Sequence, residues 1–184
     1  MNENFSQNNI SNNIETSKEE QQEFLSLQSV SDEIEKGNVS VVIENLSEGK
    51  YNRLDHQDIA HRLIEKGCGE YLVKNLEKFQ GLDHQDIAKR LIGRWFGDSV
   101  ASNLEKFQGL DHQNIAIRLI EKGDGKSVAN NLEKFQGLDH QDIAHRLIDR
   151  GYESYIAQNL EKFQGLDHQD IANLLKRVSD FLKS

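Results

Sequence analysis

The chain has no proline, so no helix need be broken by a missing N–H or by a ring clash with the preceding turn. A single cysteine, Cys68, excludes an intramolecular disulfide and agrees with a reducing compartment. Its counterparts elsewhere in the chain are Phe96, Asp124 and Tyr152, so a reactive-thiol role is not expected. No run approaches the roughly 20 apolar residues of a membrane span, and no apolar leader segment is visible near the N-terminus. A cytoplasmic location is expected, with export by a route that reads other signals left open. Most of the net charge of −9 falls in residues 1–53, which leaves the rest of the chain close to neutral. That balance neither selects nor forbids a polyanionic partner.

What the chain has is a repeat. The phrase Leu-Asp-His-Gln starts at Leu54, Leu82, Leu110, Leu138 and Leu166, a spacing of 28 residues each time. A fixed period of this size marks a solenoid, in which each unit is one supersecondary element that buries its apolar side against the next. The full copies run over 54–81, 82–109, 110–137 and 138–165.

Each copy reads as two helices. The first is capped by Asp55, has Asp58 in its opening turn and places Ile59, Ala60, Leu63 and Ile64 on one face. Gly67 supplies the left-handed residue that stops it. The second is expected from about Glu70 to Gln80, with Leu72, Val73, Leu76 and Phe79 buried and Gly81 ending it. Short loops make the two helices antiparallel neighbours. The fold expected is an all-α solenoid of stacked helical hairpins.

The ends differ from the middle. Residues 1–18 are rich in Asn, Ser, Gln and Glu and are expected to be disordered. Residues 19–53 read as a diverged capping repeat: Phe24, Leu27, Val30 and Ile34 keep helical spacing, and Gly37 matches Gly67. From Leu166 to Ser184 the stop glycine is missing and the pattern runs on through Leu174, Leu175, Val178, Phe181 and Leu182, with Lys176, Arg177 and Lys183 for the wet side. This reads as a C-terminal capping helix.

Identity between copies can reflect recent duplication, so the variable positions carry more information. They cluster at the turn between the two helices. Stacking would bring these turns into one row along an edge, the way repeat proteins present a binding surface. Unconstrained drift of the turns would produce the same pattern. Trp95 and Phe96 stand where the first copy has Gly67 and Cys68, and such aromatics favour interface anchors. The candidate contact with a protein or peptide partner centres on Trp95, Phe96, Tyr152 and Tyr155 and takes in Tyr71, Asp124 and Lys126.

Other rows have structural readings beside functional ones. His56, His84, His112, His140 and His168 align, but units about 10 Å apart cannot bring them within ~2 Å of one metal ion. First-turn hydrogen bonding or packing on the neighbouring unit is expected instead, and neighbouring imidazoles could titrate together. Asn75, Asn103, Asn131 and Asn159 suggest amides bonding between units or to loop carbonyls, or else half-exposed boundary residues. Arg62, Arg90, Arg118 and Arg146 form one basic row, and Lys66, Arg94, Lys122 and Arg150 a second. Helix-dipole compensation and pairing with nearby acids explain them, and a phosphate track is the functional alternative. No catalytic set, cofactor loop or metal motif emerges, so no enzymatic activity, metal or cofactor is expected, and the oligomeric expectation is a monomer.

The stretch from Leu110 through Gly123-Asp-Gly-Lys-Ser-Val-Ala129 resembles the repeats of TAL-effector-like DNA-binding proteins. That resemblance implies a short first helix, a variable turn that reads one base, and a Gly-Lys step that contacts phosphate, here Gly125 and Lys126. The period is shorter than in that family, and Glu70, Asp98 or Glu153 stands near the step in other copies. A nucleic-acid-binding array that uses the basic rows of the first helices is therefore the alternative to a scaffold that binds a protein or peptide along its variable turns or its concave face.

Overall fold

The computed structural model describes residues 27–167, 169, 171–173 and 176. Every regular element among them is a helix, so the fold is all-α and solenoid-like. The tail at 1–18, the start of the N-terminal cap with Phe24, and most of the C-terminal capping helix (His168, Asp170, Leu174, Leu175, Arg177, Val178, Phe181, Leu182 and Lys183) lie outside the described residues.

The chain divides into two compact units, Met1–Leu82 and Asp83–Ser184. The first holds α1 (residues 27–35), α2 (Val39–Ser47), α3 (His56–Glu65) and α4 (Gly69–Lys74). The second holds three repeats: α5 (His84–Gly93) with α6 (Gly97–Ser102), α7 (His112–Glu121) with α8 (Gly125–Asn130), and α9 (His140–Asp149) with α10 (Glu153–Gln158).

The long helix of each repeat starts and stops as its sequence dictates. The Asp55 carboxylate accepts from the Gln57 and Asp58 amides, and Asp83, Asp111 and Asp139 each accept from the amide three residues on. These bonds satisfy donors that a helix start leaves free. At the far end the amide of Cys68 returns to the Leu63 carbonyl at 2.8 Å, and the Gly67 amide to Ile64 at 3.1 Å. This is a Schellman closure, which needs a left-handed residue, and Gly67 has φ 81°. Ile59, Ala60, Leu63 and Ile64 are buried, as are their counterparts in α5, α7 and α9.

The second helix is not the continuous element that the apolar spacing predicts. In the first copy it is helical only over Gly69–Lys74, then breaks at Asn75, makes a 3-10 turn over Leu76–Lys78 and leaves Phe79 extended. The asparagine marks the break: the Asn75 side-chain amide donates to the Tyr71 carbonyl four residues back at 2.9 Å. Asn103, Asn131 and Asn159 do the same to Ser99, Ser127 and Tyr155. Such a side chain competes with the continuing backbone for the last carbonyls. The expected asparagine ladder between units is thus replaced by local bonds, and only Asn159 also reaches another repeat, at Asn130 Oδ1, 3.3 Å away.

The break brings Phe79 onto His56. The two rings meet edge to face at 6.1 Å, and the same pair recurs as His84–Phe107, His112–Phe135 and His140–Phe163. His56 Nδ1 accepts from the Gln80 amide at 2.9 Å, and His112 and His140 accept from the Gln136 and Gln164 amides at the same distance. His56, His112 and His140 thereby tie the end of their own repeat to its start, and His56 Nε2 also lies 3.1 Å from the Tyr51 carbonyl of the preceding cap.

Stacking falls to the glutamine of the phrase. In the second unit Gln85 Oε1 accepts from the Asp111 amide at 3.0 Å, Gln113 from Asp139 at 3.0 Å, and Gln141 from Asp167 at 3.1 Å. Lys162 reaches back to the Asn130 carbonyl and the Glu133 carboxylate. In the first unit the cap is tied on by Arg62 Nη1 to Ser31 Oγ at 2.7 Å and by Lys66 to Glu35 at 3.0 Å. No helix among the described residues is long and apolar enough to cross a membrane.

Candidate binding edge

The inter-helix turns of the second unit do line up. Asp124, just before α8, sits against Gly97 of the preceding repeat, where an added Cβ would lie 1.9 Å from its carboxylate. Tyr152, just before α10, covers Gly125 in the same way: a Cβ there would lie 2.4 Å from the ring. The Tyr152 hydroxyl also donates to the Gly123 carbonyl. One large side chain therefore lies over the glycine of the repeat before it, and the two glycines are required by close approach. Asp124 is half-buried, and burial together with nearby Asp98 holds its carboxyl above the usual range. Asp98 is itself bonded by the Ser127 hydroxyl at 2.8 Å.

Trp95 breaks the pattern of these turns. It occupies the left-handed position that Gly67, Gly123 and Gly151 fill in the other copies, with φ 70°. Its amide still bonds the Ile92 carbonyl at 3.3 Å, and the Phe96 amide bonds Leu91 at 2.9 Å, so the closure is intact. An L-residue with a Cβ in this region costs about 1–2 kcal/mol. The Trp95 side chain is 80% exposed, so its packing returns little of that cost. Phe96 is half-buried.

The remaining residues of the candidate contact are spread over both units. In the second, the Tyr152 and Tyr155 rings lie 6.2 Å apart, and Lys126 Nζ stands 5.9 Å from the Tyr155 ring. Tyr71 belongs to the first unit, where it is 55% exposed. Cys68 is half-buried there, and burial pushes its thiol up, away from the thiolate.

The basic rows are largely engaged. The Nε of Arg62, Arg90 and Arg146 each donate to the aspartate four residues earlier, Asp58, Asp86 and Asp142, at 2.8 to 2.9 Å. Arg118 has Asn114 there, and its Nε is buried without a partner. In the second row Lys66 pairs with Glu35, and Arg150 donates to the Glu121 carbonyl at 3.2 Å. Arg94 and Lys122 are exposed.

Two structural roles escape sequence reasoning here: the bridging Gln85, Gln113 and Gln141, and the approach glycines Gly97 and Gly125. The glycines carry a signal, because each opens the second helix in the copy before a bulky residue or an acid. The glutamines carry none beyond repetition. Among the described residues no group of three or more His, Cys, Asp or Glu side chains is arranged to hold a metal ion.

Comparison with known proteins finds no matching family model, no matching curated protein and no matching solved structure. The fold defines the chain as an α-helical repeat protein of the solenoid-like class.

Proposed function

We propose that this chain is a non-enzymatic repeat scaffold that holds a protein or peptide partner along its variable turns, with Trp95 as the anchor. One observation carries this reading: a tryptophan 80% exposed occupies a turn position at which glycine is the unstrained residue. A large exposed aromatic that adds strain and gains little packing in its own fold is the kind of residue on which interfaces concentrate binding energy.

The nucleic-acid alternative ranks second for a specific reason. A phosphate track needs free cations, and three of the four first-row arginines already hold an aspartate of their own helix.

Capture of partners on the immobilised full chain, compared with the Trp95→Gly variant, tests the reading. The variant keeps the turn geometry, so loss of capture with an unchanged circular dichroism spectrum supports the anchor. Equal capture by both chains contradicts it. A mobility shift with single- or double-stranded nucleic acid that fades steeply with salt, and survives Trp95→Gly, would move the assignment to the basic rows.

A further inference from the structure

We propose that His112 and His140 form an acid-sensitive latch: neutral, each holds its own repeat closed, and protonation opens the two repeats together at mildly acidic pH. This inference stands apart from the partner reading.

The geometry fixes which form of the ring is compatible with the fold. His56, His112 and His140 each accept a backbone N–H on Nδ1, from Gln80, Gln136 and Gln164. Only an unprotonated Nδ1 can accept, so the His112 and His140 rings that make this bond are neutral and carry their hydrogen on Nε2. At His56 both ring nitrogens are engaged, Nε2 lying 3.1 Å from the Tyr51 carbonyl. A second proton would set an N–H against an N–H and release the segment after the 3-10 turn. At His84 the Nδ1 is buried without a partner, so a proton placed there would find no acceptor.

Position adds to the effect. Each of these histidines is the first residue of a long helix, where the helix dipole disfavours a cation. The groups that face the rings oppose this only in part. Asp83, Asp111 and Asp139, one residue before His84, His112 and His140, favour the charged form, but burial outweighs them and lowers all three histidines. His56 has Asp55 in its own turn and meets the Phe79 ring, the Gln80 amide and the Tyr51 carbonyl from other segments. His84 and His140 meet the Phe107 and Phe163 rings. His112 borders a groove with Glu105, Glu133 and Lys134. There Glu105 lies 3.6 Å from Lys134, and Glu133 pairs with Lys162 at 3.1 Å, so both carboxylates already have a cation.

The direction follows from linkage. A group whose folded pKa lies below its unfolded value stabilises the fold above the unfolded value, about 6.5 for histidine, and that stability is lost as pH falls through it. Each latch would multiply the unfolding equilibrium constant by about tenfold for every pH unit below 6.5 over which only the unfolded state takes the proton. Because repeats support one another, the losses act on the array together.

Urea unfolding of the full chain at pH 7.5 and pH 5.0, followed by circular dichroism, tests the latch. The comparison is with His112→Gln/His140→Gln, which keeps a carbonyl acceptor and cannot titrate. The control is His61→Gln, which lies outside the phrase. The unsubstituted chain and the control should lose stability at pH 5.0 by well over tenfold in the unfolding constant, and the double variant by clearly less. No loss in the unsubstituted chain, or an equal loss in the double variant, overturns the proposal. If the double variant does not fold at pH 7.5, a nitrogen-15 NMR titration of His112 and His140 in the unsubstituted chain decides. Rings in the Nε2–H form that titrate below 6.5 support the latch, and rings that titrate at or above 6.5 or carry the hydrogen on Nδ1 overturn it.

Discussion

The turn that follows α5 and the turn that follows α7 share a backbone and almost nothing else. Trp95 and Gly123 both sit in the left-handed region, at φ 70° and 96°. Their amides bond Ile92 and Ile120, and the next amides bond Leu91 and Leu119. The buried leucines and isoleucines, the aspartate caps and the glutamine bridges dictate that path. At 123 the residue suits the path, since glycine has no Cβ to clash. At 95 it does not, yet the path persists and the indole stands in solvent. The scaffold therefore sets the turn, and the turn residue is free to serve another purpose.

Five substitutions break or sharpen this comparison, all read by urea unfolding. The largest effect belongs to the packing that aligns the turns. Gly125→Ala puts a Cβ 2.4 Å from the Tyr152 ring and 2.9 Å from Leu147 Cδ2, so it should destabilise by about 1–3 kcal/mol. A neutral result would mean that Tyr152 is not seated on that glycine. Exchanging the turn residues comes next. Trp95→Gly should stabilise by about 1 kcal/mol and Gly123→Trp should destabilise by a similar amount. Opposite signs would show that the indole packs on the protein. Gln113→Ala removes the bridge to the Asp139 amide at 3.0 Å and should cost about 0.5–1.5 kcal/mol, against no change if the repeats stack through apolar contacts alone. Arg90→Gln should matter least, about 0.3–0.5 kcal/mol, because its pair with Asp86 is solvent-exposed. Its partial loss of effect in high salt would agree with an ion pair.

Much of this architecture can be read from the letters because one residue suffices for each local event. An Asp at a helix start, a Gly at its end and apolar residues at three- and four-residue spacing fix α3, α5, α7 and α9 closely. The second helix was harder. Leu72, Val73, Leu76 and Phe79 suit a three-turn helix equally well, and only the competition of Asn75 for the Tyr71 carbonyl decides for a break. In the repeats that start at Leu110 and Leu138 the histidine and glutamine of the phrase are neighbours in sequence and act in opposite directions, one into its own repeat and one toward the next. That assignment depends on side-chain direction, which periodicity does not encode. For the candidate edge, the aromatics stood out in the sequence, but the exposure of Trp95 and the half-burial of Phe96 did not.

Trp95 is the sole tryptophan, so intrinsic fluorescence reports on this position alone. The native chain should emit at the long wavelength of a water-exposed indole, be quenched by acrylamide nearly as well as the urea-unfolded chain, and shift little on unfolding. A blue-shifted native emission, protected from acrylamide and moving red on unfolding, would place the indole in a core and contradict an edge anchored by Trp95.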